Sequence, residues 1–317
     1  MRTAFLGALF DAAANDPRIC LVVGDLGYSV VERFAAAYPR QFVNAGVAEQ
    51  DMTGLAAGMA LSGKIVFTYS IANFPTLRAL EQVRNDVCYH RANVKIVAVG
   101  GGLAYGNLGP SHHATEDLAI MRSLPEITVI APGDPIEAKL ATLAVIEHDG
   151  PCYLRLGKAG EPAVHTTDPE FQIGRAITLR EGSDVTMIST GAMLPTAVAA
   201  ADLLSAGGLS VHLLSMHTVR PLDVEAVTAA ATRSRYVVTI EEHSVAGGLG
   251  GAVAEAMSEL PAERAQLNRI GLSPTFNRLV GDQSYLRSLH GLDVDSIVRT
   301  IEALVSQRPR PGGAGIP

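Results

Sequence analysis

Along the first half of the chain, apolar residues come in short unbroken runs, not in alternation with polar ones. CysLeuValValGlyAspLeu (20–26), LysIleValPheThrTyrSer (64–70), ValLysIleValAlaValGly (94–100), IleThrValIleAlaPro (127–132) and CysTyrLeuArgLeuGly (152–157) all have this form. A strand with one wet face alternates; a strand covered on both faces does not. Such runs therefore predict a parallel sheet with helices packed on either side. Helical spacing over 50–61 and 75–90 supplies two of those helices. Pro162, Pro169 and Gly174 break the pattern, which resumes at 184–190, 210–216 and 236–241. The chain of 317 residues is thus read as α/β, with two domains built on mainly parallel sheets. The expected boundaries are 1–160, a linker over 161–183, a second domain over 184–306, and a mobile tail at 307–317.

Composition removes several classes of function. Hydrophobic residues are 48% and charged residues 18%, which is ordinary for a globular chain. Net charge is −7 with no Lys/Arg run, so the electrostatic footprint of a nucleic-acid binder is missing. No uncharged apolar stretch approaches the length of a bilayer span. The apolar start is closed by Asp11 and continues at helical spacing, which predicts an amphipathic first helix, not a secretory signal. Cys20, Cys88 and Cys152 are too few and too far apart for a disulfide framework or a zinc site. The expectation is a reduced, soluble, cytoplasmic protein.

In doubly wound sheets ligands gather beyond the carboxyl ends of the strands. That directs attention to 25–29, 45–50, 69–74, 100–113 and 155–158. The glycine clusters at 24–29, 100–109 and 247–251 lack the spacing of a phosphate loop or a dinucleotide fingerprint, and neither HExxH nor GxSxG occurs. Two segments say more. In PheValAsnAlaGlyValAlaGluGln (42–50), Glu49 stands where a helix begins. It can be an acid suited to the helix dipole, or a carboxyl held among small apolar residues, able to share a proton with a ring nitrogen. In GlyAsnLeuGlyProSerHisHisAlaThrGluAsp (106–117), His112 and His113 follow an apolar strand and are either packing histidines or functional ones. Glu241, Glu242 and His243 read as structural or interface polarity.

Taken together, GlyValAlaGluGln (46–50) and GlyProSerHisHis (109–113), followed by MetArgSerLeuProGluIleThrValIleAlaProGlyAsp (121–134), resemble the carboxyl-terminal half of transketolases. The resemblance covers almost the whole chain, as a pyrimidine-binding domain followed by the family's C-terminal domain. It implies thiamine diphosphate as cofactor, with Glu49 at the aminopyrimidine N1′ and His112 in the substrate channel. Phe74 is implied as the ring stacked on the pyrimidine, with Tyr69 as the alternative. Leu26, after Asp25, matches the residue that wedges the cofactor into its bent form. Arg2, Ser29 and Lys158 match contacts to an acceptor phosphate, with Lys a point charge where Arg would be a fork. Two positions depart from the family. Gly100 stands where sugar-phosphate transketolases carry His, and Leu108 where they carry Asp. Those departures bear on which hydroxylated substrate is preferred.

Family members hold the diphosphate through a metal bound by a Gly-Asp-Gly…Asn element. The nearest strings here are GlyAspLeu (24–26) and GlyAspGln (281–283), and no residue of this chain is assigned to a metal. The resemblance therefore implies the B subunit of a split transketolase. Its partner, an N-terminal subunit, would hold Mg²⁺ or Ca²⁺ and the diphosphate in an A2B2 assembly. Two enzyme alternatives share this architecture: the beta subunit of a 2-oxoacid dehydrogenase and a deoxyxylulose-phosphate synthase-like enzyme. A regulatory half-subunit without turnover is the non-enzymatic alternative.

Overall fold

The computed structural model describes residues 1–262 and 264–306; the tail expected at 307–317 lies outside the described residues. Six strands come from the first half: β1 (Ile19–Val23), β2 (Phe42–Asn44), β3 (Ile65–Ile71), β4 (Val94–Val99), β5 (Thr128–Ile130) and β6 (Cys152–Leu156). Six follow: β7 (Ile177–Arg180), β8 (Val185–Ser189), β9 (Val211–Ser215), β10 (Thr218–Arg220), β11 (Tyr236–Ser244) and β12 (Gln266–Leu272). They form a seven-stranded sheet in the order β10-β5-β6-β4-β3-β1-β2 and a five-stranded sheet in the order β12-β11-β8-β9-β7. Every pairing is parallel except β10 on β5 and β7 on β9. The unbroken apolar runs have the expected cause, since β1, β4, β6, β8 and β9 are buried at every position.

Each face of the first sheet has its own core. Helix Arg2–Ala13 turns Phe5 and Leu9 inward, against Ala138 and Ala141 of helix Pro135–Glu147. On the other face, helix Glu49–Leu61 contributes Met52, Ala56 and Ala60, at every fourth position, beside Leu118 and Met121. Full burial of side chains such as Phe5 or Met52 contributes about 1.5–3 kcal/mol each. No described helix is long and apolar enough to cross a membrane.

Two features differ from the pattern read in the sequence. The helix expected over 75–90 begins earlier and is interrupted. It runs Asn73–Leu77, restarts at Leu80–Gln82, and continues as a wide π turn over Val83–Cys88. Pro75 is accommodated because it sits in the first turn, where its missing N–H has no partner to lose. The wide turn keeps Val83, Val87 and Cys88 on the core. The second feature is β10, which leaves the second half of the chain to pair with β5 of the first sheet, Thr218 opposite Ile130. Three residues are too few for an alternation signal, so nothing in the local sequence marks it.

Candidate active site

Because β1, β2, β3, β4 and β6 run parallel, the segments that follow them gather at one end of the sheet. The turn after β2 is pinned by Asn44. Its Oδ1 accepts from Gly46 N (3.0 Å) and Asp25 N (3.1 Å), and its Nδ2 donates to Asp25 Oδ1 (2.9 Å). Asp25 thus serves to join the loops after β1 and β2. Gly46 turns with φ of +73°, a region that disfavours side chains. Helix Glu49–Leu61 starts directly afterwards. Glu49 is only 3% exposed. Arg78 Nη1 donates to both its oxygens, at 3.1 Å (Oε2) and 3.3 Å (Oε1).

The same Arg78 guanidinium lies over the Phe74 ring, Cζ 4.1 Å from the centroid. Phe74 meets the His112 ring edge-on, with centroids 5.2 Å apart. The histidine loop is tied to the Phe74 helix by Asn73 Nδ2, which donates to Ser111 O at 2.9 Å. Ser111 Oγ and His112 Nδ1 share a hydrogen bond of 3.0 Å, which leaves Nε2 as the ring nitrogen available to a ligand. His113 points the other way; it is buried, with Nε2 3.4 Å from Gly106 O, and burial lowers its pKa.

Beyond His112 the contacts continue. Its ring lies 6.4 Å from that of Tyr105, and Lys158 Nζ lies 4.9 Å from the Tyr105 centroid. Tyr105 and Lys158 line a cavity with Arg2, Leu26 and Tyr69. Tyr69 is buried there, its ring stacked on Phe5 at 6.2 Å, and the Glu49 depression does not include it. Ser29 faces a neighbouring apolar cavity beside Thr3, Phe10 and Arg33. Glu49, Phe74 and His112 are therefore brought together through Arg78, and Arg2, Leu26, Tyr69 and Lys158 through Tyr105. Ser29 stands apart from both.

The chain matches the family model of the transketolase pyrimidine-binding domain over residues 1–160 and that of the transketolase C-terminal domain over 174–297. The chain belongs to the transketolase family. It is 38% identical to a "Putative transketolase C-terminal section" of Methanocaldococcus jannaschii, covering 95% of both chains. It is also 38% identical to the B subunit of an apulose-4-phosphate transketolase of Phocaeicola vulgatus, over 94% of this chain and 95% of that one. Among solved structures it resembles "Split gene transketolase, inactive beta4 tetramer", with a TM-score of 0.87 and 37% identity. That likeness covers 97% of this chain and 98% of the other. The function is that of a transketolase subunit.

Several groups around this transketolase site escaped the sequence reading. Arg78 carries a weak signal, a lone cation one turn after Phe74. Tyr105 carries another, a bulky ring just after three glycines. In the support beneath the histidine loop, Glu241, Glu242 and His243 are the residues read as structural or interface polarity, whereas Arg155 and Tyr153 carry no signal. Arg155 on β6 donates from Nε to Asp117 Oδ2 (2.8 Å) and from Nη2 to Ala114 O (2.8 Å) and Glu242 O (3.1 Å). Tyr153 Oη also donates to Asp117 Oδ2 (2.7 Å). The Glu242 carboxylate accepts from Leu103 N (3.2 Å), Gln283 Nε2 (2.9 Å) and Arg287 Nη2 (2.7 Å). Glu241 accepts from Leu249 N and Gly250 N, both at 2.7 Å. Glu242 of the second half, with Arg155 of the first, thus holds both ends of the segment that bears His112.

Proposed function

We propose that this transketolase subunit completes a thiamine diphosphate site together with a separate N-terminal subunit. The joint enzyme moves a two-carbon ketol unit from a ketose, or ketose phosphate, to an aldose acceptor. The observation that carries the reading is the buried Glu49 carboxylate facing the Phe74 ring across one guanidinium. A planar group that donates to an acid while lying on an aromatic face already fits there, and an aminopyrimidine has both properties. When bound, thiamine diphosphate supplies an acidic thiazolium carbon and an electron sink for breaking and remaking a carbon–carbon bond.

In this reading Glu49 holds a proton against N1′ of the aminopyrimidine, in a setting from which water is largely excluded. Phe74 would cover the heterocycle, and Leu26 would contact the cofactor from the loop after β1. His112 Nε2 hydrogen-bonds and moves protons at the substrate oxygens, its orientation set by Ser111. Arg2 and Lys158 take an acceptor phosphate; Ser29, which lines a different cavity, is left out of that contact. The diphosphate, with Mg²⁺ or Ca²⁺, belongs to the partner, because the Glu49 depression offers only Asp51 as a second carboxylate. The related split enzyme is inactive as a beta4 tetramer, which supports a need for the second chain; the assembly proposed is A2B2. The first domain is assigned to 1–160; the second, expected over 184–306, is extended back to include β7, which pairs with β9 in its sheet. The three free cysteines support a reducing, cytoplasmic setting.

The test is Glu49→Gln in the complex with its partner. Ketol transfer should fall at least about 100-fold while the far-ultraviolet spectrum is unchanged. Unaltered turnover would favour a regulatory half. Release of CO2 from a 2-oxoacid without ketol transfer would favour the dehydrogenase or synthase alternative.

A further inference from the structure

The cavity beyond His112 has a composition of its own. It encloses about 260 Å³, and two cations, Arg2 and Lys158, reach it while no carboxylate lines it, in a chain of net charge −7. Arg2 Nε is buried there without a hydrogen-bond partner. Two positive charges, one of them with an unpartnered guanidinium N–H, call for an anionic, oxygen-rich ligand. One wall is unusual. Gly100 directly follows β4 with φ of +80°, and a Cβ placed on it would stand 2.1 Å from Tyr105 Cε2 and 2.5 Å from Cδ2. The phenol ring therefore fills the volume that any side chain at position 100 would need. Burial raises the Tyr105 hydroxyl's pKa, with the Arg2 charge opposing, so it is a neutral donor at physiological pH.

We propose that Tyr105 is the specificity-determining residue of this cavity: its ring limits the length of sugar admitted, and its hydroxyl donates to the phosphate held by Arg2 and Lys158. The inference rests on the reading of Arg2 and Lys158 as substrate contacts. It adds that the absence of a side chain at Gly100 is compensated from position 105. The ligand class is a short phosphorylated sugar. A substrate without the phosphate leaves the two cations unmatched.

Two measurements test it. In the first, inorganic phosphate is titrated into the full chain by calorimetry. Tyr105→Phe should weaken binding about 3–10-fold, the loss of one hydrogen bond to a charged group. In the second, the assembled enzyme is given D-ribose 5-phosphate, D-ribose and D-glyceraldehyde 3-phosphate as acceptors. Tyr105→Phe should lower the kcat/KM ratio of D-ribose 5-phosphate over D-ribose by about 3–10-fold. Tyr105→Leu should shift preference from the three-carbon to the five-carbon phosphate. Failure of the wild type to bind phosphate, or an equal loss on phosphorylated and unphosphorylated acceptors, overturns the proposal. If phosphate binding depends on Tyr105 but the complex transfers no ketol unit, the cavity assignment stands and the transketolase mechanism falls. Ketol transfer with an acceptor preference indifferent to Tyr105 overturns the cavity assignment and leaves the mechanism standing.

Discussion

Arg78 Nη1 donates to Glu49 Oε2 at 3.1 Å, so that a half-exposed cation neutralises a carboxylate withdrawn from water. The same guanidinium rests on Phe74, a cation–π contact that holds the arginine over both surfaces at once. Without a partner, a carboxylate this buried would lose its solvation and gain nothing in return.

Replacing Arg78 with Met should therefore have two opposite effects. The isolated chain should lose about 1–2 kcal/mol, since Glu49 is left unpaired, read as a drop of a few degrees in Tm. Thiamine should bind the variant more tightly, because ring and carboxylate are uncovered. Weaker thiamine binding in a calorimetric titration would show that the guanidinium is a permanent part of the pyrimidine site.

Asp117→Asn removes the charge that pairs with Arg155, in a bridge whose two side chains are 2% and 4% exposed. Breaking such a buried pair costs about 3–5 kcal/mol. Denaturant unfolding of Asp117→Asn should show that loss, with Lys139→Gln as the surface control. Lys139 pairs with Asp168, and both side chains are about half exposed, so its loss should stay within about 1 kcal/mol.

Glu242→Ala frees Leu103 N, Gln283 and Arg287 from one shared acceptor. Hydrogen exchange over 100–113 should accelerate about tenfold or more, while the β1 and β3 amides keep their protection. Uniform acceleration would mean that Glu242 supports global stability and not this loop.

Burial raises the Glu241 carboxyl from 4.5 to about 7, with the Leu249 and Gly250 amides and the charges of Arg155 and Arg269 opposing it. The native state then holds a proton that the unfolded chain has released between those values. Stability from this group is accordingly lost as pH rises from about 4.5 to 7. Glu241→Gln should gain on the wild type across that window, by on the order of 3 kcal/mol, and by a constant amount above it. The wild-type and variant Tm curves, recorded between pH 4 and 8, should diverge in that interval.

Local sequence carried much of the architecture because burial on both faces leaves a local mark. The runs at 20–26, 94–100 and 152–157 became β1, β4 and β6 for that reason. Glu49 and His112 were legible as polar residues in small-residue turns after strands. Arg78 was not, since its role depends on an interrupted helix that aims it back at Glu49. Nor was Tyr105, which has meaning only against a glycine whose missing Cβ makes room for it. The Arg155, Asp117 and Glu242 cluster joins residues up to 125 positions apart in the chain (242 against 117), and no window of sequence contains it.

The crossing of β10 onto β5 means that neither half of this polypeptide is a self-sufficient module. A fragment ending near position 160 would present the bare backbone of β5 to solvent, a template for intermolecular pairing. A gene divided between the two halves would leave that edge without its cover in the first product.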